Sequence, residues 1–267
     1  VAPNVISFSS VLHACAKAGD VARAESWLAS MQEEGTEPNA ICYNAVIHAC
    51  AKVGSCDRAG AWLERMLKKG LQPTANSFSA LMDPLSKEGR AEEVEGFLQR
   101  MNSLGVEADV VCYNMLLGAC SRTGDRERAS AWFERMERCG VQPNTMSFNL
   151  LINIDASRGD VQGAVSWLQR LRRSQSARAD CVSYNTVMKS CSRVGDVSGA
   201  EHWYRMMREE GLKPDIVTYN ALVSACARAR DPEGAEQCLA AMARDGVQAN
   251  AVSYRAAIDA CASAGQT

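Results

Sequence analysis

Apolar residues fall at helical spacing in two short runs, and the two runs recur together. From residue 5, Phe8, Val11, Leu12 and Cys15 are three or four places apart, which marks one face of an α-helix. Ser7, a short polar residue just ahead of Phe8, is expected to cap the N-terminus of that helix. Gly19 and Asp20 then predict the end of one helix and the start of the next. Ala24, Trp27, Leu28 and Met31 form the second apolar stripe, which Gly35 and Pro38 bring to a stop.

The pattern returns every 35 residues. An aromatic recurs at Phe8, Tyr43, Phe78, Tyr113, Phe148, Tyr184, Tyr219 and Tyr254, with one step of 36 between Phe148 and Tyr184. Four more ladders keep the same register: Trp27, Trp62, Phe97, Trp132, Trp167 and Trp203; a mostly Met ladder from Met31; a mostly Ala ladder from Ala24; and a mostly Gly ladder from Gly19. Ladders in phase mean an array of repeats. The units are 5–39, 40–74, 75–109, 110–144, 145–180, 181–215 and 216–250. Residues 1–4 are read as the end of a preceding repeat, and 251–267 as the first helix of a partial eighth. The extra residue of 145–180 falls in the polar stretch from Arg172 to Arg178, where a loop tolerates insertion. A two-helix unit cannot bury its faces alone, so the units must stack into an all-α solenoid.

Composition narrows the function. Apolar residues make up 47% of the chain, but charges interrupt every run, so no direct membrane insertion is expected. The formal charge of −2 gives no bulk basic excess, so a polyanion would have to be met by placed cations. Six of the twelve Cys, namely Cys15, Cys50, Cys120, Cys191, Cys226 and Cys261, share one place in the first helix and are expected to be small buried packing residues. Others, such as Cys42 and Cys112, stand where other repeats have Ser or Thr. Neither CxxC nor metal spacing occurs, so reduced cysteines and no metal or cofactor are expected. No nucleophile and base pattern, phosphate loop or deaminase signature points to an enzyme, and no small-molecule substrate is expected.

The stretches Val217-Thr218-Tyr219-Asn220-Ala221-Leu222-Val223 and Gly211-Leu212-Lys213-Pro214-Asp215, with their counterparts along nearly the whole chain, resemble the P-type pentatricopeptide repeat. That resemblance implies a right-handed α-solenoid of stacked antiparallel helix pairs. It further implies sequence-specific binding of single-stranded RNA in an organelle, a chloroplast before a mitochondrion, in support of transcript stabilisation, processing or translation.

The resemblance points to two base-selecting residues per repeat, the one after the first aromatic and the last. Here they are Ser9/Asn39, Asn44/Thr74, Ser79/Asp109, Asn114/Asn144, Asn149/Asp180, Asn185/Asp215 and Asn220/Asn250. All are short and polar, although turn chemistry alone also favours such residues at the last place. A carboxylate only accepts, which suits U or G, and an amide can donate, which suits C or A. Small Ser leaves room for a purine and larger Asn favours a pyrimidine. With the family's polarity the expected target is 5′-A-(C/U)-G-C-U-U-C-3′. The second residue of each repeat is expected to flank the bases: Ile6, Ile41, Val111, Met146, Val182, Val217 and Val252, with polar Asn76 departing from the pattern. Lys17, Lys52, Lys87, Arg122, Arg193 and Arg228 repeat near the end of the first helix and are expected at the phosphates, while acids such as Glu33, Glu34, Glu209 and Glu210 gather on second helices. Helix-end capping would favour cations at the same place. Repeat 75–109 is atypical, and Pro84 inside its first helix is expected to kink it. A second reading stays open: a non-catalytic scaffold that binds other subunits of an organellar complex through the solenoid surface.

Overall fold

The computed structural model describes residues 4–265, and among these it contains fifteen α-helices and no strands. They are α1 (Val5–Ala18), α2 (Val21–Glu33), α3 (Ala40–Lys52), α4 (Cys56–Lys68), α5 (Ala75–Glu88), α6 (Ala91–Ser103), α7 (Val110–Thr123), α8 (Arg126–Arg138), α9 (Thr145–Arg158), α10 (Val161–Arg173), α11 (Cys181–Val194), α12 (Val197–Glu209), α13 (Ile216–Ala229), α14 (Pro232–Arg244) and α15 (Ala251–Ser263). Residues 1–3 and 266–267, which belong to the expected end of a preceding repeat and to the partial eighth, lie outside the described residues. The chain forms two compact units, one running to Thr123 and the other starting at Gly124. No helix among the described residues is long and apolar enough to cross a membrane.

Most helix starts have an identifiable cause. The first helix of a repeat is capped by the polar residue before it: Asn4 Oδ1 accepts the Ser7 N–H at 3.0 Å, and Asn39 Oδ1 accepts those of Ile41 and Cys42 at 3.0 and 3.2 Å. Ser7 is therefore not the N-cap; it lies inside α1 as the third helical residue, and the helix begins three residues earlier than its position suggested. Both places favour a short polar side chain, because one accepts the orphan N–H and the other reaches back to the cap. Five of the seven second helices start at a capping Asp: Asp20, Asp125, Asp160, Asp196 and Asp231 each accept the N–H three residues on, whereas α4 and α6 start after Ser55 and Arg90 without a side-chain cap.

Between the two helices the chain reverses in a left-handed residue, usually Gly, as at Gly19 (φ 74°). In the seventh repeat that residue is Arg230 at φ 59°. Pro84 does not interrupt α5, which runs unbroken from Ala75 to Glu88. It lies on the groove-lining side of the helix, so its ring displaces nothing from the core, while Leu85 beside it is buried.

Within each unit the first helices pack on one another: α1, α3, α5 and α7 in the first, α9, α11, α13 and α15 in the second. Each hairpin closes on its own apolar stripe. In the first, Phe8, Leu12, Ala24, Leu28 and Met31 are buried, and Phe8 meets Trp27 edge-on at 6.1 Å. Burying a Leu or Met side chain contributes about 2 kcal/mol, which is what holds the pair closed. The Trp ladder is not uniformly core: Trp132 and Trp203 are buried, whereas Trp27 is 41% exposed. Because the first helices spend two faces on neighbours and one on their partner, one face remains for a ligand.

Candidate nucleic-acid interface

In the first unit that remaining face lines a groove of about 970 Å³. Residues four apart on a helix share a face, and three such rows meet here: Ser9, His13 and Lys17 of α1; Asn44, His48 and Lys52 of α3; Ser79, Asp83 and Lys87 of α5. Ile41 and Asn76 also line it. The first selectors Ser9, Asn44 and Ser79, the flanking Ile41 and the cations Lys17, Lys52 and Lys87 are thus brought into one groove in this unit, whereas the last-place selectors Asn39, Thr74 and Asp109 are not part of its lining. Burial holds His48 below the ordinary histidine range, with His13 acting in the same direction, so it adds no cation at neutral pH.

The seven aliphatic residues at the second place of a repeat are exposed, from 49% for Val111 and Val217 to 72% for Ile6. They belong to no core. Single exposed apolar residues need no explanation, but their recurrence at one repeat position within each unit offers places able to hold flat apolar faces.

The last residue of each repeat caps the next first helix, so turn chemistry does operate there. Asp109 Oδ1 accepts from Cys112 N–H at 2.9 Å, Asn144 Oδ1 from Ser147 at 3.1 Å, Asp180 Oδ1 from Ser183 at 2.9 Å, Asp215 Oδ1 from Thr218 at 2.9 Å and Asn250 Oδ1 from Ser253 at 3.1 Å. Capping consumes one side-chain oxygen and leaves the other terminal atom. For Asn that atom is Nδ2, a donor; for Asp it is Oδ2, an acceptor. The cap therefore sorts these residues into a donating and an accepting class. Thr74 has no second polar terminal atom: its Oγ1 lies 3.4 Å from Asn44 Nδ2 and from Ser77 Oγ, and the other terminal atom is a methyl.

The two expected selectors of a repeat also touch. Asn149 Nδ2 donates to Asp180 Oδ1 at 3.1 Å, and Asn185 Nδ2 to Asp215 Oδ1 at 3.1 Å. A hydroxyl from the next first helix closes each arrangement: Ser77 Oγ donates to Asn44 Oδ1 at 2.5 Å, Ser183 to Asn149 at 2.6 Å, Thr218 to Asn185 at 2.7 Å and Ser253 to Asn220 at 2.6 Å. Burial acts to raise Asp180 and Asp215, but the backbone, amide and hydroxyl donors outweigh it and hold both carboxyls below the usual range. Both are ionised acceptors at neutral pH.

Family models match along most of the chain. The PPR repeat family model matches residues 3–52, 38–87, 179–228 and 214–263; the pentatricopeptide repeat domain model matches 97–157; and the PPR repeat model matches 77–106. The chain belongs to the pentatricopeptide repeat family. Its fold is that of solved members. The crystal structure of the pentatricopeptide repeat protein PPR10 from maize matches all of this chain and 43% of its own, at 24% identity and a TM-score of 0.65. PPR10 in complex with an 18-nucleotide psaJ RNA element matches at 22% identity, over all of this chain and 44% of its own, with a TM-score of 0.59. The PPR domain of Arabidopsis thaliana protein-only RNase P 1, in complex with tRNA, matches 65% of this chain and 91% of its own at 20% identity and a TM-score of 0.56. The chain spans less than half the length of the maize protein. Among curated protein sequences none matches it.

In this pentatricopeptide repeat chain the cation ladder is exposed along its whole length, and part of it caps helices. Lys52 Nζ donates to the Lys17 carbonyl, and Arg193 to the Ala156 carbonyl at 2.8 Å. Arg158, one place beyond the break in the ladder, donates to the Gly124 carbonyl at 3.0 Å. Lys87 pairs with Asp83 at 2.7 Å. A carbonyl bond occupies one donor without cancelling the charge, whereas the Asp83 pair does cancel it.

Two features escaped the sequence reading. The hydroxyl partners of the selector amides were visible only as Ser and Thr at the places where two repeats have Cys. Asp155 takes the place of the buried Cys in its repeat, is fully buried, and meets Arg126 of α8 at 3.0 Å; its break in the Cys ladder was the available signal. The cysteines themselves are free thiols, and burial pushes Cys112 up to about 12, consistent with packing residues. Among the described residues no cluster of three metal-ligating side chains occurs.

Proposed function

We propose that this chain binds single-stranded RNA along the free faces of its first helices, one base per repeat, with 5′-A-(C/U)-G-C-U-U-C-3′ as its preferred heptamer. The observation that supports this reading is a pair of features that recur with the repeat: exposed aliphatics at the second place, and last residues whose capping bond leaves a donor on Asn and an acceptor on Asp. The RNA in the PPR10 complex supports it by likeness of fold. An organellar site of action, a chloroplast before a mitochondrion, and a role in stabilising, processing or translating a transcript belong to the same proposal.

The test is equilibrium binding of the heptamer against one in which both U are replaced by C. The double substitution Asp180→Asn with Asp215→Asn keeps the helix caps, because Asn caps about as well as Asp. It exchanges Oδ2 acceptors for Nδ2 donors and should reverse the preference, by about tenfold at each of the two positions. A preference that stays put removes these residues from base selection. Absence of binding by the wild-type chain at low salt overturns the RNA reading and favours the scaffold.

A further inference from the structure

Both serine selectors, Ser9 and Ser79, are followed 33 residues later by a cysteine, Cys42 and Cys112. Each of the five asparagine selectors is followed, 33 or 34 residues later, by Ser or Thr. Four of those five pairs lie inside one unit, and in all four the hydroxyl donates to the asparagine Oδ1. The serine selectors turn instead to their own helix, Ser9 to the Ile6 carbonyl at 3.0 Å and Ser79 to the Asn76 carbonyl at 3.1 Å.

The hydroxyl serves the helix cap by accepting the N–H of the capping residue, but a first helix starts without it. Cys42 and Cys112 occupy the same third helical place, and their N–H groups are accepted by Asn39 and Asp109 all the same. What a thiol cannot supply is a strong donor to a neighbouring amide. We propose that the third-place hydroxyls Ser77, Ser183, Thr218 and Ser253 are positioning residues for base selection, fixing which way the Asn selector of the preceding repeat faces. The proposal rests on the RNA-binding reading above. With Oδ1 held by the hydroxyl, Nδ2 faces the last residue of the repeat. The reversed amide would set its Oδ1 3.1 Å from the Asp180 or Asp215 carboxylate, two acceptors with no proton between them. The hydroxyl accepts the N–H of the capping residue, at 3.2 Å for Asp180 and 3.1 Å for Asp215, and its single proton has two acceptors in reach, the amide Oδ1 at 2.6 and 2.7 Å and the capping carboxylate at 2.9 Å, of which the amide is the nearer.

Thr218→Val keeps the side-chain shape and removes the donor; Thr218→Ser keeps the donor. Ser7→Ala removes a third-place hydroxyl that has no described selector before it, and controls for lost capping. Preference for U over C opposite Asn185 and Asp215 should fall about fivefold to tenfold in Thr218→Val and stay in Thr218→Ser and Ser7→Ala. A Thr218→Val chain that melts like Ser7→Ala and keeps its preference overturns the proposal while leaving RNA binding intact. A second readout needs no RNA. In nitrogen-15 spectra of the free protein, the two Asn185 Nδ2 protons should be distinct and slow to exchange in wild type and Thr218→Ser, and lose both properties in Thr218→Val. Unchanged Asn185 signals in Thr218→Val overturn it even if the wild-type chain binds no RNA.

Discussion

Asp155 shows how one residue can carry a cost that its neighbours in the repeat series avoid. Its place is a Cys in six other repeats, buried in five of them and half-buried at Cys261, and here a fully buried carboxyl meets Arg126 while neither oxygen gains an aligned hydrogen bond. Burial raises its pKa more than Arg126 lowers it. A carboxyl with a raised folded pKa favours folding most at acid pH and loses that contribution as pH rises through the folded value. Asp155→Asn should therefore raise the melting temperature more at pH 7 than at pH 4, whereas Arg126→Met, which strands the charge, should cost about 2–4 kcal/mol at pH 7. Equal effects at both pH values would refute the buried-charge account. Asp180 and Asp215 behave oppositely: their depressed values contribute stability above the ordinary carboxylate range that fades as pH falls through the folded ones. The polar selectors were legible as residue types because they recur in register. Their bonds were not, because each partner lies about one repeat away in sequence and only the fold brings it near.

Period and breakers locate the helices, and the structure departs from them where two places favour the same residue. Ser7 looks like a cap because the third residue of a capping box and the cap itself both take short polar side chains. Only the bond from Asn4 distinguishes them. Pro84 leaves α5 continuous from Ala75 to Glu88, and the side on which its ring sits, along the groove and away from buried Leu85, is set by packing. Arg230 is the clearest strained element boundary. It ends α13 at φ 59°, where four other first helices end on a left-handed Gly at φ 73–81°. A Cβ in that region costs roughly 1 kcal/mol. Arg230→Gly should thus stabilise the chain by about that amount and raise its melting temperature by about 2–4 °C. A melting temperature that is unchanged or lower would mean that the Arg side chain makes up the difference.

Across the whole molecule, a formal charge of −2 gives little reason to expect a polyanion partner, and the distribution of pairs explains why the sum misleads. Acids of the second helices are met by arginines one repeat away: Glu25 by Arg58 at 2.7 Å, Glu137 by Arg170 at 2.6 Å, and Glu210 by Arg172 at 2.6 Å. Such exposed pairs contribute little to stability, but they neutralise acid away from the first-helix faces. The ladder cations are set apart from those acids, and their number can be read from salt dependence. Lys87 is cancelled by Asp83, while Lys52 and Arg193 keep their charge when bonded to a carbonyl. With Lys17, Arg122 and Arg228 this leaves five cations. At about 0.7 counterions released per phosphate contact on a single strand, the logarithm of RNA affinity should fall against the logarithm of salt with a slope of about −3.5. Asp83→Asn should steepen it by about 0.7, because a sixth cation becomes available. A slope shallower than about −1 would take the ladder out of the interface and leave its lysines and arginines with helix capping alone.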